Sequence, residues 1–223
     1  MGLGRTIVDA LLNFLDSRRK SKVGAIGQFW RDGGNSLLYD LPVTTGSLVI
    51  DAGGYQGEWS AGMIVRYGCR SKIYEPVPKF FSKCQILFKN NSLVQIHKAA
   101  LGASNRKTTL CLLDNGTSEF RQNRGAQRIE ADTIDVANIF CSRSEQIACF
   151  KINIEGGEYE VLERMIETNS VVLCDSLLIQ FHREPDGYEA RYKNIVAALY
   201  QTHDRCWHYE MIWEKWVLRA SQL

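Results

Sequence analysis

Short apolar or β-branched runs alternate with longer runs of helical periodicity from Leu48 to the end of the chain. This alternation is typical of parallel strands joined by crossover helices. Seven runs are predicted as strands of one sheet: LVIDAGG, KIYEP, LVQIHKAA, ACFKINI, SLLIQFH, CWHYEM and IWEKWVLRA. The predicted helices are GEWSAGMIVRYG, PKFFSKCQILFKNN, EYEVLERMIE and a helix near Tyr188 to Tyr200. The pattern predicts an α/β fold, with an open, mostly parallel sheet of about seven strands and helices on both faces.

The middle of the chain is less regular. KTTLCLL is predicted as a further extended segment, and DTIDVANIF as a short helix capped by Asp132. Between them, the polar text GTSEFRQNRGAQRIEAD is long for a loop of a compact domain. It is interpreted as a lid or an acceptor-binding loop, and disorder is the alternative.

The first part of the chain predicts an amphipathic helix with a basic end. Its apolar positions have helical spacing, and Arg18, Arg19, Lys20 and Lys22 follow the last turn. We expect this helix to pack on the main domain; peripheral contact with an anionic membrane surface is the alternative. Turn-rich text without sustained periodicity follows from 24 to 45. The predicted organisation is an N-terminal helix and lead-in segment at 1–46, and one domain at 47–223. The apolar positions of the helix are Ile7, Val8, Leu11, Leu12 and Leu15.

The composition is that of a globular protein. The 223 residues are 45% hydrophobic and 23% charged, which excludes disordered, collagen-like and coiled-coil classes. A net charge of +2 is too small for a surface that binds nucleic acid over its whole extent. Seven cysteines without a CxxC pair predict reduced thiols, and no apolar stretch is long enough to span a membrane. We therefore expect a cytoplasmic protein and no nucleic-acid partner.

The first predicted strand runs into a glycine turn and a helix. Asp51 ends the strand, and Gly53, Gly54 and Gly57 form the turn, so backbone N–H groups face the carboxyl edge of the sheet. Glu75, the last residue of the second predicted strand, follows Asp51 by 24 residues, close to the offset at which a carboxylate binds ribose hydroxyls. The turn lacks the GxGxxG of pyrophosphate sites. The cationic sulfonium of S-adenosylmethionine fits two carboxylates better.

Four blocks carry a resemblance: VIDAGGYQGEWS, IYEPVPKF, KAALGASN and FKINIEGGEYEVL. In order and spacing they resemble the FkbM-type family of S-adenosylmethionine-dependent methyltransferases over residues 47 to 182. The resemblance implies a Rossmann-like class I methyltransferase fold. It also implies O-methylation, often of sugar hydroxyls in glycans or natural products, with S-adenosylmethionine as the cofactor.

The resemblance also implies a set of cofactor-binding residues. The turn would lie beneath the methionine part, Glu75 would bind the ribose, and Ala99 and Ala100 would leave room for the adenine. Tyr55 stands where many members have Asn, and Asn153 where KIDxEG has Asp. Because Asn supplies only a neutral oxygen, no metal is expected. The complete set is Asp51, Gly53, Gly54, Tyr55, Gly57, Glu75, Ala99, Ala100 and Asn153.

Two residues are candidates for the chemistry on the acceptor. Glu155 precedes two glycines after the fourth strand, where it should face the crevice, and the resemblance supports a role. His182 closes the fifth strand at the same edge and, being largely neutral at cellular pH, can accept a hydroxyl proton. Glu158, in contrast, is interpreted as a carboxylate stabilised by a helix N-terminus.

Two other function classes stay open from the sequence. A nucleotide-dependent oxidoreductase would use the same carboxylates and glycines, although it lacks GxGxxG. A non-catalytic module would bind glycan or RNA through the five tryptophans and through Arg121, Arg124 and Arg128, although most of the tryptophans are expected in the core. The expected partner is a small-molecule or glycan acceptor.

Overall fold

The computed structural model describes residues 24–113, 116–118, 127–140 and 146–220. The chain forms two compact units, Met1–Leu38 and Tyr39–Leu223. In the first unit, the described residues form the helices α1 (24–31) and α2 (Gly34–Leu37). The sequence predicts only turn-rich text here, because its mixed aromatic and polar residues show no sustained period. The helix predicted around residues 7–15 lies outside the described residues.

The second unit contains the strands and the remaining helices of the described chain. In chain order, the strands are β1 (Leu48–Ala52), β2 (Arg70–Tyr74), β3 (Val94–His97), β4 (Ala100–Gly102), β5 (Arg106–Leu113), β6 (Gly116–Ser118), β7 (Arg128–Asp135), β8 (Ile147–Ile152), β9 (Ser176–Ile179), β10 (His203–Tyr209) and β11 (Trp213–Leu218). The helices are α3 (Glu58–Tyr67), α4 (Pro78–Leu87), α5 (Glu158–Glu167) and α6 (Tyr188–Thr202), with 3₁₀ turns at Val136–Ile139 and Ser170–Leu173.

The main sheet has seven strands in the order β10-β11-β9-β8-β1-β2-β3. The five strands from β9 to β3 are parallel, whereas β11 is antiparallel to both β9 and β10. The chain builds the sheet outward in one direction from β1 to β3, and in the other direction from β8. The strand order therefore reverses between β1 and β8, and such a switch point opens a crevice at the carboxyl ends of the strands.

Helices cover both faces of this sheet. On one face, Ile50 and Phe150 pack in a buried cluster with Leu162 of α5 and Leu199 of α6. On the other face, Ile73 packs with residues of α3 and α4. Strands that are buried on both faces do not alternate between apolar and polar residues, and β1 and β8 are buried at every position, with Asp51 and Lys151 as their charged residues. The predicted α/β fold, with a mostly parallel sheet of about seven strands and helices on both faces, is confirmed.

A second, four-stranded sheet, in the order β4-β7-β5-β6, was not predicted. DTIDVANIF is not a helix capped by Asp132: β7 runs through Asp135, whose side chain caps the 3₁₀ turn that follows. The predicted loop 116–132 likewise contains β6 and the start of β7. The alternation of β7 was missed because its outward residues are charged. Ion pairs join this sheet to α5, at Arg106–Glu160 (2.7 Å) and Arg164–Asp135 (2.9 Å).

The predictions about the cysteines and about membrane-spanning segments can be compared with the described residues. Six of the cysteines are described, all as free thiols; Cys206 is exposed and the other five are buried. Among the described helices, none has both the length and the apolar character needed to cross a bilayer.

Candidate active site

Two turns meet at the switch point of the sheet. The turn after β1 and the turn after β8 approach so closely that a Cβ on Gly53 would lie 2.0 Å from the carbonyl oxygen of Asn153. Gly53 also has φ 80°, a left-handed conformation that other residues rarely adopt. The N–H of Asn153 donates to the carbonyl of Ala52 at 3.1 Å. Glycine is therefore required at position 53 both by its conformation and by contact with the neighbouring turn.

Both turns contain a non-glycine residue at positive φ. Tyr55 has φ 50° and Glu155 has φ 49°. Such residues cost about 1–3 kcal/mol each and are concentrated at functional sites. The Tyr55 ring is 40% exposed and packs against Phe80, with ring centroids 4.4 Å apart. An exposed aromatic residue and a carboxylate thus flank the crevice from the two turns.

Glu75 is held beside the first turn. Strand β2 ends at Tyr74, so Glu75 is the first residue beyond the strand rather than its last. Its two carboxylate oxygens accept hydrogen bonds from the backbone N–H groups of Tyr55 (2.7 Å) and Val77 (2.8 Å). The carboxylate is 4% exposed, and its burial raises its pKa to about 7. A carboxylate with this pKa is poised between its neutral and charged forms at cellular pH.

Asp51 lies beneath the turn rather than open to the crevice. The sequence predicts that Asp51 and Glu75 border one cleft, but Asp51 is 0% exposed. Its oxygens accept from Lys151 Nζ at 2.7 Å and from Ser60 Oγ at 2.8 Å. Lys151 also donates to the carbonyl of Gly53 at 2.8 Å. The buried pair therefore fixes the glycine turn from below, whereas the resemblance implies that Asp51 is part of the turn beneath the cofactor.

We expect Lys151→Met to destabilise the protein by roughly 3–5 kcal/mol, because it leaves the Asp51 charge buried without its partner. Urea denaturation measures this change. The double variant Lys151→Met/Asp51→Leu is expected to recover most of the loss, since it removes both charges. Lys79→Met, at an exposed position on α4, is the control. A loss no larger than that of the control would contradict the importance of the pair.

His182 lies between two carboxylates. Strand β9 ends at Ile179, so His182 follows the strand instead of closing it. Its Nε2 lies 3.6 Å from Oε1 of Glu155, and its Nδ1 lies 3.1 Å from Oε1 of Glu158. The side chain of His182 is 12% exposed and that of Glu155 is 22% exposed. The two candidate residues for acceptor chemistry are thus brought together, and both keep access to the surface.

The remaining predicted site residues follow the ends of β1 and β3. Gly54 packs so tightly that a Cβ would lie 2.2 Å from Ile73, and Gly57 ends the turn at φ 84°. Ala99 is buried, and Ala100 begins β4, at the start of the second sheet. Strand β3 ends at His97, whose carbonyl accepts from the N–H of Glu75 at 3.0 Å. The two alanines therefore follow a strand end that contacts Glu75.

The sequence predicts neither the role of Lys151 nor the contact that Glu158 makes with His182. Lys151 stands in a strand whose other positions are apolar, apart from Cys149. A lysine in such a strand is itself a signal, because lysine is almost never fully buried unless it is paired. Glu158 was interpreted only as a helix N-terminal charge. Its contact with His182 joins positions 24 residues apart, and no local pattern reveals that contact. Among the described residues, no cluster of three or more His, Cys, Asp or Glu is arranged to hold a metal ion.

Comparison with known proteins gives a family and a fold. The family model of the methyltransferase FkbM domain matches residues 51–206. A candidate methyltransferase from Streptococcus mutans, solved in complex with SAH, is 11% identical, with a TM-score of 0.50 over 83% of this chain and 96% of that chain. An rRNA methylase from Streptococcus thermophilus is 9% identical, with a TM-score of 0.46 over 83% of this chain and 93% of that chain. Among curated proteins, none matches the sequence of this chain.

The residues at the crevice have the chemistry that S-adenosylmethionine requires. A carboxylate offers about four acceptor positions, and the two backbone N–H bonds to Glu75 leave capacity for two ribose hydroxyls. The glycine at position 53 keeps the backbone of the turn free of a side chain where the two turns meet. With a family match that spans most of the sequence, the chain belongs to the FkbM family of S-adenosylmethionine-dependent methyltransferases.

Proposed function

We propose that this methyltransferase methylates a hydroxyl group of a neutral sugar, in a glycan or a glycosylated natural product. The observation that carries the proposal is the placement of His182 Nε2 3.6 Å from Glu155, beside the turn that meets the glycine turn of β1. A hydroxyl is a weak nucleophile that must lose a proton as it is methylated, and a neutral imidazole is suited to accept that proton.

Each predicted site residue has a part in this proposal. When bound, S-adenosylmethionine supplies an electrophilic methyl group. Glu75 binds the ribose hydroxyls, and the turn from Gly53 to Gly57, with Gly54 and Tyr55, lies against the methionine part. Asp51 supports that turn through Lys151. Ala99, Ala100 and Asn153 line the adenine side and the floor of the crevice. On the acceptor side, Glu155 orients the sugar and His182 accepts its proton.

The charge beside His182 supports a neutral acceptor. The segment from His182 to Glu189 contains Glu184, Asp186 and Glu189 but a single arginine, Arg183. That arginine lies 3.5 Å from Glu210. Three acidic side chains within seven positions of His182 disfavour phosphate groups near it, because like charges repel. The segment therefore favours a neutral polyol over a sugar phosphate or a phosphodiester.

RNA is the second candidate acceptor, since two of the similar structures are named rRNA methylases. Enzymes that act on a nucleobase stack it between aromatic or apolar side chains. Phe181, next to His182 in the chain, is 1% exposed and is not available to a base. Tyr55, which is 40% exposed, is an aromatic residue that flanks the crevice, and Arg121 and Arg124 lie outside the described residues. The acidic segment that follows His182 is what favours the sugar over RNA, because phosphate groups would be repelled there. Free cysteines also support a reducing, cytoplasmic compartment.

A competition among acceptor classes tests the proposal. The protein is incubated with methyl-labelled S-adenosylmethionine and, separately, with neutral methyl glycosides, the corresponding sugar phosphates and total RNA. We expect label in the glycosides, and we expect periodate cleavage of the sugar diols before the assay to abolish it. Incorporation into RNA alone, or into sugar phosphates in preference to glycosides, would contradict the proposed acceptor.

Cofactor affinity is expected to fall below pH 7. Because burial raises the pKa of Glu75 to about 7, acidification protonates the carboxyl group and removes acceptor capacity for the ribose hydroxyls. The dissociation constant of S-adenosylhomocysteine should then rise by up to about tenfold per pH unit between pH 7 and pH 6. Calorimetric titration at several pH values measures it. In Glu75→Gln the dependence should disappear; a dependence that persists there would assign it to another group.

A further inference from the structure

His182 is fixed at three points although it lies outside the sheet. Its backbone N–H donates to Oε1 of Glu158 at 2.7 Å, and its Nδ1 lies 3.1 Å from the same oxygen. Its carbonyl accepts from the hydroxyl of Tyr159 at 2.5 Å. Glu158 and Tyr159 are the first two residues of α5, and both are 0% exposed. The first turn of α5 therefore holds both the backbone and the ring of His182.

Glu158 also connects the two segments that carry the acceptor chemistry. Its second oxygen, Oε2, accepts from the N–H of Gly156 at 2.8 Å, in the turn that contains Glu155. One buried carboxylate therefore binds the turn of Glu155 on one side and His182 on the other. A surface ion pair does not explain why Glu158 is buried. Interaction with the helix N-terminus does not explain its contact with the His182 ring, 24 residues away.

The contact at Nδ1 determines which ring nitrogen carries the proton. A carboxylate accepts hydrogen bonds and donates none, so the Nδ1 that faces it carries a hydrogen. In the neutral ring, the lone pair is then on Nε2, the nitrogen that lies 3.6 Å from Glu155. We propose that Glu158 is a positioning residue that fixes the orientation of His182 and places a hydrogen on Nδ1, so that Nε2 is the ring nitrogen turned toward Glu155 and the acceptor.

The assignment gives the proton a defined route. As the acceptor oxygen takes the methyl group, the electron pair of the broken sulfur–carbon bond stays on sulfur, and the hydroxyl proton passes to Nε2 of His182. The ring is then cationic, and its Nδ1–H donates to the buried Glu158, which stabilises the charge. This catalytic consequence rests on the proposed function, whereas the tautomer of His182 does not.

Nitrogen NMR of ¹⁵N-histidine-labelled protein tests the tautomer directly. The chain has four histidines, and His182→Gln identifies the signal of His182 by its loss. We expect Nδ1 to carry the hydrogen in the wild-type protein at neutral pH. Glu158→Gln supplies one carbonyl oxygen where the carboxylate supplies two, so it cannot accept from both Gly156 and His182. We expect mixed tautomers in this variant. We also expect kcat to fall by at least about tenfold, and KM for S-adenosylmethionine to stay within about twofold, with the best methyl glycoside as acceptor.

Glu160→Gln is the matched control, because Glu160 lies on the same helix and pairs with Arg106, away from His182. It should keep the wild-type tautomer and rate. In the wild-type protein, a hydrogen on Nε2 of His182 alone would overturn the inference. A Glu158→Gln spectrum identical to that of the wild type would also overturn it. If instead His182→Gln keeps full kcat while the tautomer depends on Glu158, then the proposed base fails and the positioning of the ring survives.

Discussion

Glu75→Ala should raise the dissociation constant of S-adenosylhomocysteine by at least about 100-fold. A hydrogen bond to a charged group contributes about 1.5–3 kcal/mol, and the ribose supplies two of them. The substitution also leaves the N–H groups of Tyr55 and Val77 without their acceptor, which loosens the turn that binds the methionine part. Isothermal titration calorimetry measures the change.

The control for this experiment is Glu58→Ala. Glu58 is exposed in the first turn of α3, so its loss removes one nearby negative charge without touching the crevice. We expect its affinity to stay near the wild-type value. Unchanged affinity in Glu75→Ala, with the fold intact by circular dichroism, would remove Glu75 from the cofactor site.

His182→Gln should lower kcat by roughly 10²- to 10⁴-fold, the usual contribution of a general base. Glutamine keeps the size and polarity of the side chain but cannot accept and hold a proton at neutral pH. The affinity for S-adenosylhomocysteine should change less than about twofold, because His182 acts on the acceptor and not on the cofactor. Single-turnover methyl transfer to a glycoside, combined with calorimetry, separates the two quantities.

The matched control is His208→Gln, which alters an exposed histidine of β10. It should retain both rate and affinity. A His182→Gln enzyme that turns over as fast as the wild type would show that the acceptor loses its proton to another group. A parallel loss of cofactor affinity would instead assign His182 to the cofactor side of the crevice.

The main sheet could be predicted because local patterns determine it. The glycine turn after Asp51 and the amphipathic run at Glu158–Glu167 each carry a sequence signal of their own. The second sheet could not be predicted, because its strands are short or carry charged residues at their alternating outward positions. Arg128–Asp135 gains its stability as a strand from pairing with Arg106–Leu113, in which the paired residues are 17 to 27 positions apart. Without that pairing, the sequence around Asp132 is also compatible with a capped helix.

The same distinction between local and long-range contacts applies to the active site. Strand ends could be located from local patterns, so Glu75, Glu155 and His182 were predicted at one edge, with the family resemblance supporting Glu155. The burial of Asp51 could not be predicted, because its partner Lys151 is 100 residues away. Glu158 was undervalued because the helix N-terminus offered a sufficient local explanation for its charge. Contacts between charged residues that are far apart in the sequence are therefore the part of the site that could not be predicted.

A crystal structure of the complex with S-adenosylhomocysteine tests the cofactor site most directly. We predict that both ribose hydroxyls lie within hydrogen-bond distance of the Glu75 carboxylate, with the sulfur between the glycine turn and Nε2 of His182. A ribose bound elsewhere, or a sulfur on the opposite side of the sheet edge from His182, would contradict the arrangement from which the whole mechanism follows.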